Sequence, residues 1–246
     1  MRTSNPALND RIFRGVPYAS GETMTLQGTV NRTGILLLCA MATAAWTWHL
    51  AMSPESAAAV VPLMWVGLLG GLVFALVTSF KPAWSPVTAP IYALLEGLAL
   101  GGISAAFEVR FPGIPIEAVC LTFGTLLVLL LAYSARIFRV TQKFRLGVVA
   151  ATGAIMLFYV VEMVLGLFHI HLGAVNGSGA IGIGFSLVIV GVAALNLVLD
   201  FDFIERGAMA GAPKYMEWYG AFGLMVTLVW LYLEMLRLLA KLQRRD

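Results

Sequence analysis

Apolar residues in this chain fall into seven long runs separated by short polar stretches. The runs cover roughly Gly34–Met52, Ala57–Phe80, Val87–Phe107, Ile116–Ala135, Leu146–Phe168, Ala180–Phe201 and Tyr219–Ala240. A membrane-spanning helix needs about 20 predominantly apolar residues, and these runs are of that length. Lipid offers no partner for bare peptide groups, so each run must be helical. The pattern predicts an all-α membrane protein, a seven-transmembrane helix bundle occupying residues 34–246. Residues 1–33 are polar and mixed, with Asn5-Pro6, Gly15 and Gly21 interrupting any long helix. They read as a cytoplasmic N-terminal segment and not as a signal peptide. Gly67, Gly70 and Gly71 in the second run, and Gly97, Gly101 and Gly102 in the third, place small residues where helices can approach closely.

Composition narrows the class further. Hydrophobic residues make up 60% of the 246-residue chain and charged residues only 12%, against about 25% charged in a soluble domain. The mean hydropathy is +0.88. This leaves an integral membrane protein with no room for a separate soluble domain. The net charge is +3, and the basic residues sit at span ends, which suits anionic lipid headgroups and not nucleic acid. Arg11, Arg14 and Arg32 precede the first run, and Lys81, the group Arg136, Arg139, Lys143 and Arg145, and the pair Arg206 and Lys214 occupy alternate loops. Positive-inside logic puts those loops and the N-terminus in the cytoplasm. One feature runs against this. Seven spans place Lys241, Arg244 and Arg245 on the outer side, unless the last segment is re-entrant and returns. Cys39 and Cys120 lie within apolar runs without paired spacing and read as small core residues.

Against this scaffold a few carboxylates stand out, because a charge within a bilayer costs several kcal/mol and usually marks function. Asp200 and Asp202 end the sixth run, and Glu234 lies inside the seventh. Residues two apart on a helix point about 200° apart, so Asp200 shares a face with Asn196 and Ile204 while Asp202 points elsewhere, to headgroups or water. Glu234 has Arg237 one turn on, where a local ion pair would lower its cost. The alternative pairs Glu234 with Asp200 across two helices. Carboxyls held that close share a proton, so the pair would sense pH, and a hard cation such as Ca²⁺ would suit it when ionised. Depth weighs against the pair: Glu234 is about 15 residues into its run, roughly 22 Å, while Asp200 is near the cytoplasmic end. Contact requires the sixth helix to run past Arg206 or the seventh to start low, for instance at Pro213. Glu96 and Glu162 lie within the third and fifth runs, either as neutral structural carboxyls or as parts of an ion path.

Other signals carry less. Gly177-Ser-Gly-Ala-Ile-Gly182 matches a dinucleotide-binding string but opens a membrane span, which reads as glycine packing. His169 and His171 have no cysteine or carboxylate beside them. No serine, cysteine or histidine constellation suggests hydrolysis, so an enzyme is not expected. Trp46, Trp48, Trp84 and Trp218 sit near span ends, as interfacial anchors do.

Several strings resemble the Bax inhibitor/YccA family, the transmembrane Bax inhibitor motif family, in a bacterial branch with an extended N-terminus. They are Ser4-Asn-Pro-Ala-Leu-Asn9, Met24-Thr-Leu-Gln-Gly-Thr-Val-Asn31, Glu96-Gly-Leu-Ala-Leu-Gly101 and Lys214-Tyr-Met-Glu-Trp-Tyr-Gly220. The resemblance implies a seven-helix bundle and, from bacterial members, a pH-sensitive Ca²⁺ leak gated by an acidic pair. Asp200 looks like the first acid, and Glu234, in Leu231-Tyr-Leu-Glu, looks like the second. The chain departs from the pattern in having Glu for Asp there. Where some members end the second helix with arginines that latch onto the pair, this chain has only Lys81, followed by Pro82. A lysine cannot make the bidentate contact of an arginine.

Two functions are therefore expected to compete. One is a calcium-permeable leak channel of a bacterial inner membrane, gated by pH, with the lipid bilayer, Ca²⁺ and protons as its partners. It would be gated at Asp200 and Glu234, with Asp202, Glu96, Glu162, Asn196, Arg237 and Lys81 in support. The other is a regulatory protein that binds a membrane-bound protease through its N-terminal residues. No cofactor is implied by either.

Overall fold

The computed structural model describes residues 22–137, 140–168, 175 and 177–244. Within them lie seven helices: α1 (Leu26–Met52), α2 (Val60–Phe80), α3 (Ser85–Arg110), α4 (Ile114–Ser134), α5 (Gln142–Leu167), α6 (Ala180–Met209) and α7 (Met216–Gln243). Each is long and apolar enough to cross a membrane, which is the architecture expected.

The helices extend beyond the apolar runs wherever a polar residue supplies a cap. Thr25 ends its extended segment by accepting a hydrogen bond from the Gly28 amide at 2.9 Å. So α1 begins eight residues before Gly34, and a boundary at residue 33 falls inside a helix. Thr141 does the same for α5 through the Phe144 amide at 3.2 Å. That cap draws Arg145, expected in a loop, into the first turn. At the other end α6 runs past Arg206 to Met209. The seventh segment is one unbroken helix of 28 residues, about 42 Å long at 1.5 Å per residue, so it is a complete span with no re-entrant return.

Helix α7 is the axis of the bundle. It packs on α1, α3, α4 and α6, and 61% of its most apolar stretch is buried, against 17% for α1, α2 and α5. Its inward side chains include Tyr219, Phe222, Met225, Leu231 and Leu236. The outer helices turn their large apolar residues outward, as Trp65, Leu69, Leu72 and Leu76 on α2 and Met156, Leu157 and Met163 on α5 show. Such a surface is stable only against acyl chains.

Small residues set the closest contact, between α1 and α3. A β-carbon on Gly97 would overlap Thr43 Oγ1 and the Ala40 carbonyl, and one on Gly101 would overlap the Ala44 carbonyl. The approach lets Thr43 donate to the Leu94 carbonyl at 2.9 Å. Gly101→Val is therefore expected to force the two helices apart and cost about 1–3 kcal/mol. Thermal denaturation in detergent checks this beside Gly124→Val, whose site on α4 has no neighbour within 4 Å of the added carbon and which should lose only helix propensity.

Candidate functional site

The periodicity of the helix places Asn196 and Asp200 on one face of α6, one turn apart, and both are buried. Asn196 donates to Thr152 Oγ1 on α5 and to the Val192 carbonyl, both at 2.8 Å. Asp200 is 2% exposed and faces α7, where Thr227 is its side-chain hydrogen-bond partner. Its Oδ2 is buried without a partner. Thr227 has one hydroxyl proton and also reaches the Gly223 carbonyl at 3.3 Å. A neutral Asp200 can donate to Thr227 while Thr227 donates to Gly223. An ionised Asp200 must take the Thr227 proton for itself, and the Gly223 carbonyl then loses it.

Asp202 points the other way, as its position predicts, but it meets cations and not water. Arg145 Nη2 lies 2.6 Å from Asp202 Oδ2, and Arg206 Nη2 lies 2.9 Å from the same oxygen. Arg145 is itself buried. One turn on, Glu205 takes the exposed Arg136 at 2.6 Å and accepts a hydrogen bond from Tyr133. These contacts tie the ends of α4, α5 and α6 together on the side of the bundle where α1 begins. Glu205 and its strong pull raise the affinity of the Arg136 guanidinium for its proton.

Glu234 belongs to the opposite end. Its Oε1 accepts from Tyr159 Oη on α5 at 2.6 Å and from Arg237 at 2.7 Å. Arg237 also lies over the Tyr159 ring, 5.3 Å from its centroid. The expected pairing with Asp200 is not formed. Asp200 sits nine residues before the end of α6 and Glu234 eighteen residues after the start of α7. In antiparallel neighbours that leaves the two about 14 Å apart in height. The longer α6 closes part of the gap, but α7 starts only at Met216, three residues beyond Pro213. A calcium site made by these two carboxyls is not assembled, and among the described residues no group of three or more His, Cys, Asp or Glu side chains is placed to hold a metal ion.

The supporting residues scatter. Glu96 lies on α3 with its carboxyl turned to Gly71 of α2. Glu162 lines a cleft with Glu234 and Arg237. Lys81 is exposed at the C-terminus of α2, in no ion pair among the described residues, so no latch forms there. Cys39 and Cys120 are free; Cys39 is half-buried, but Cys120 is exposed on the outer surface and is not a core residue. The space beside the α-carbon of Gly182 is filled by the Gly177 carbonyl of its own preceding loop. His169, His171, Arg11, Arg14, Arg139 and Arg245 lie outside the described residues.

One residue was missed altogether. Glu217, in the first turn of α7, has a fully buried side chain. It accepts from the Thr25 amide at 3.0 Å and the Thr25 hydroxyl at 2.8 Å, and pairs with Lys214 at 3.2 Å and Arg32 at 3.5 Å. Gly28 leaves the space, since a β-carbon there would overlap the carboxylate. Beside it the Met24 amide donates to the Ala212 carbonyl at 2.7 Å. The only signal in the sequence was Lys214 at i−3.

The family model described as Bax inhibitor 1 like matches residues 5–244. The chain belongs to the Bax inhibitor 1 like family. No curated protein and no solved structure matches it. For this Bax inhibitor 1 like protein the match spans all seven helices, including both aspartates of α6 and the Glu217 and Glu234 positions of α7.

Proposed function

We propose that this chain is a pH-sensitive, calcium-permeable leak pathway of a bacterial inner membrane, with its N-terminus cytoplasmic, in which the proton switch is Asp200 acting without Glu234. The observation that carries the reading is the Asp200 carboxyl: buried between the two most enclosed helices, with one oxygen unpartnered and in no ion pair among the described residues. A buried carboxyl has two stable conditions, neutral with its hydrogen bond or ionised with a counter-cation or water. Neutral Asp200 keeps α6 and α7 joined through Thr227. Ionised Asp200 needs a cation, and a hard one with oxygen affinity such as Ca²⁺ fits a carboxylate beside hydroxyl and amide groups. Flux should then rise as pH rises and Asp200 loses its proton. Glu234, neutralised by Arg237, supports the fold at the other end.

Calcium flux into proteoliposomes between pH 6 and pH 8 tests this. Wild type is expected to conduct several-fold more at the higher pH. Asp200→Asn, which keeps the shape and cannot ionise, should vary less than about twofold across the range, a loss of the switch and not of the protein. Glu234→Gln should keep the wild-type pH profile. No wild-type flux above empty liposomes would sink the leak reading and move the weight to a regulatory protein. Equal loss of the profile in both variants would restore the acidic pair.

A further inference from the structure

At the end of the bundle away from α1's start, a cavity of about 530 Å³ opens between α5 on one side and α3, α6 and α7 on the other. The gap exists because α5 packs closely on α6 but not on α3 or α7. Four cations line it, Arg110, Arg237, Lys241 and Arg244, against two carboxylates, Glu162 and Glu234. Their engagements differ. Arg237 is neutralised by Glu234 at 2.7 Å. Lys241 spends its three protons on the Val175 carbonyl at 2.9 Å, the Gly182 carbonyl at 3.1 Å and Ser186 Oγ at 2.9 Å. Arg110 and Arg244 remain. Both lie over the ring of Phe111, at 5.7 and 5.2 Å from its centroid, and neither has a carboxylate partner among the described residues. A ring face holds a guanidinium in place without neutralising it. The two arginines come from the ends of different helices, so the ring brings two unspent positive groups to one mouth. Cations at this end also run against the positive-inside pattern, which places the basic loops at the other.

We propose that this cleft binds the phosphate of an anionic membrane lipid. Arg110 and Arg244 would hold the phosphodiester by their forked N–H groups, which match phosphate geometry. The acyl chains would follow the apolar wall formed by Phe107, Phe158 and Phe185, open to the bilayer beside α5. The same phosphate chemistry could come from a free anion, but the apolar wall gives a lipid a second set of contacts that inorganic phosphate lacks. The site is separate from Asp200 and does not depend on the leak reading.

The test uses the full chain purified in a neutral detergent. Thermal stability and lipid retention by native mass spectrometry are measured with phosphatidylglycerol, with phosphatidylcholine and with inorganic phosphate. Phosphatidylglycerol should raise the melting temperature by several degrees, and the other two should not. The Arg110→Ala/Arg244→Ala variant should retain phosphatidylglycerol at least fivefold less, while Lys81→Ala at the opposite end retains it like wild type. Should the double alanine variant fold poorly, Arg110→Lys/Arg244→Lys keeps the charges without the forks and should retain less lipid than wild type. Equal retention by the arginine variants and wild type would overturn the site. An equal response to phosphatidylcholine would overturn its preference for an anion, and an equal response to inorganic phosphate would show a free-anion site and overturn the lipid.

Discussion

Glu217→Ala is expected to lower the melting temperature in detergent by roughly 6–12 °C, corresponding to about 3 kcal/mol. The carboxylate is fully buried and answers four groups at once: the Thr25 amide, the Thr25 hydroxyl, Lys214 and Arg32. Truncation strands the Thr25 amide and leaves two cations facing each other. Because Arg32 and Lys214 keep 28% and 41% exposure, water compensates part of the loss, which holds the cost at the low end for a broken buried pair. The hydrogen bonds to Thr25 also fix the N-cap of α1, so the damage should concentrate there. Hydrogen exchange of the first turns of α1 should rise well before that of α3. Glu217→Gln keeps an acceptor for Thr25 and should lose less. A melting temperature unchanged in Glu217→Ala would mean that the start of α1 is held by something other than this carboxylate.

Asp202→Asn should cost about 3 kcal/mol, and the neighbouring Glu205→Gln less than about 1 kcal/mol, although both remove a carboxylate from an arginine at 2.6 Å. Exposure separates the two. Arg145 is 9% exposed and cannot turn to water when its partner is neutralised, whereas Arg136 is 72% exposed and is already solvated. Glutamine at 205 can still accept from Tyr133. Paired melting curves of the two variants, with Arg145→Met beside them, decide the matter. Added to Asp202→Asn, the methionine removes the buried cation together with the need for its partner and should recover part of the loss. Equal losses in Asp202→Asn and Glu205→Gln would contradict the burial argument.

Much of the fold was legible because a bilayer imposes it. Seven apolar runs of spanning length can only be seven helices once every peptide group must find a partner within the chain. The faces were legible in part: residues two apart on a helix point apart, so Asp200 and Asp202 on different faces followed from spacing, while the turn of Asp202 toward Arg145 did not. The glycines of the third run mark the contact with α1 because only a missing side chain permits that approach. Arg237 one turn after Glu234 made their ion pair one of two open readings, and the structure forms it.

What the sequence could not decide was height and company. Helix length beyond the apolar run depends on polar caps such as Thr25 and Thr141, which hydropathy does not register. Those extra turns set the vertical offset between α6 and α7, and the offset separates Asp200 from Glu234. The partners of Asp202, Glu217 and Glu234 come from helices distant along the chain, so no spacing rule reaches Arg145, Thr25 or Tyr159. By itself the sequence determined the number of spans, the class of protein and which carboxylates are costly to bury. Only the tertiary structure decided which of them meets a cation and that Asp200 meets Thr227 instead, because that depends on the relative depth of packed helices.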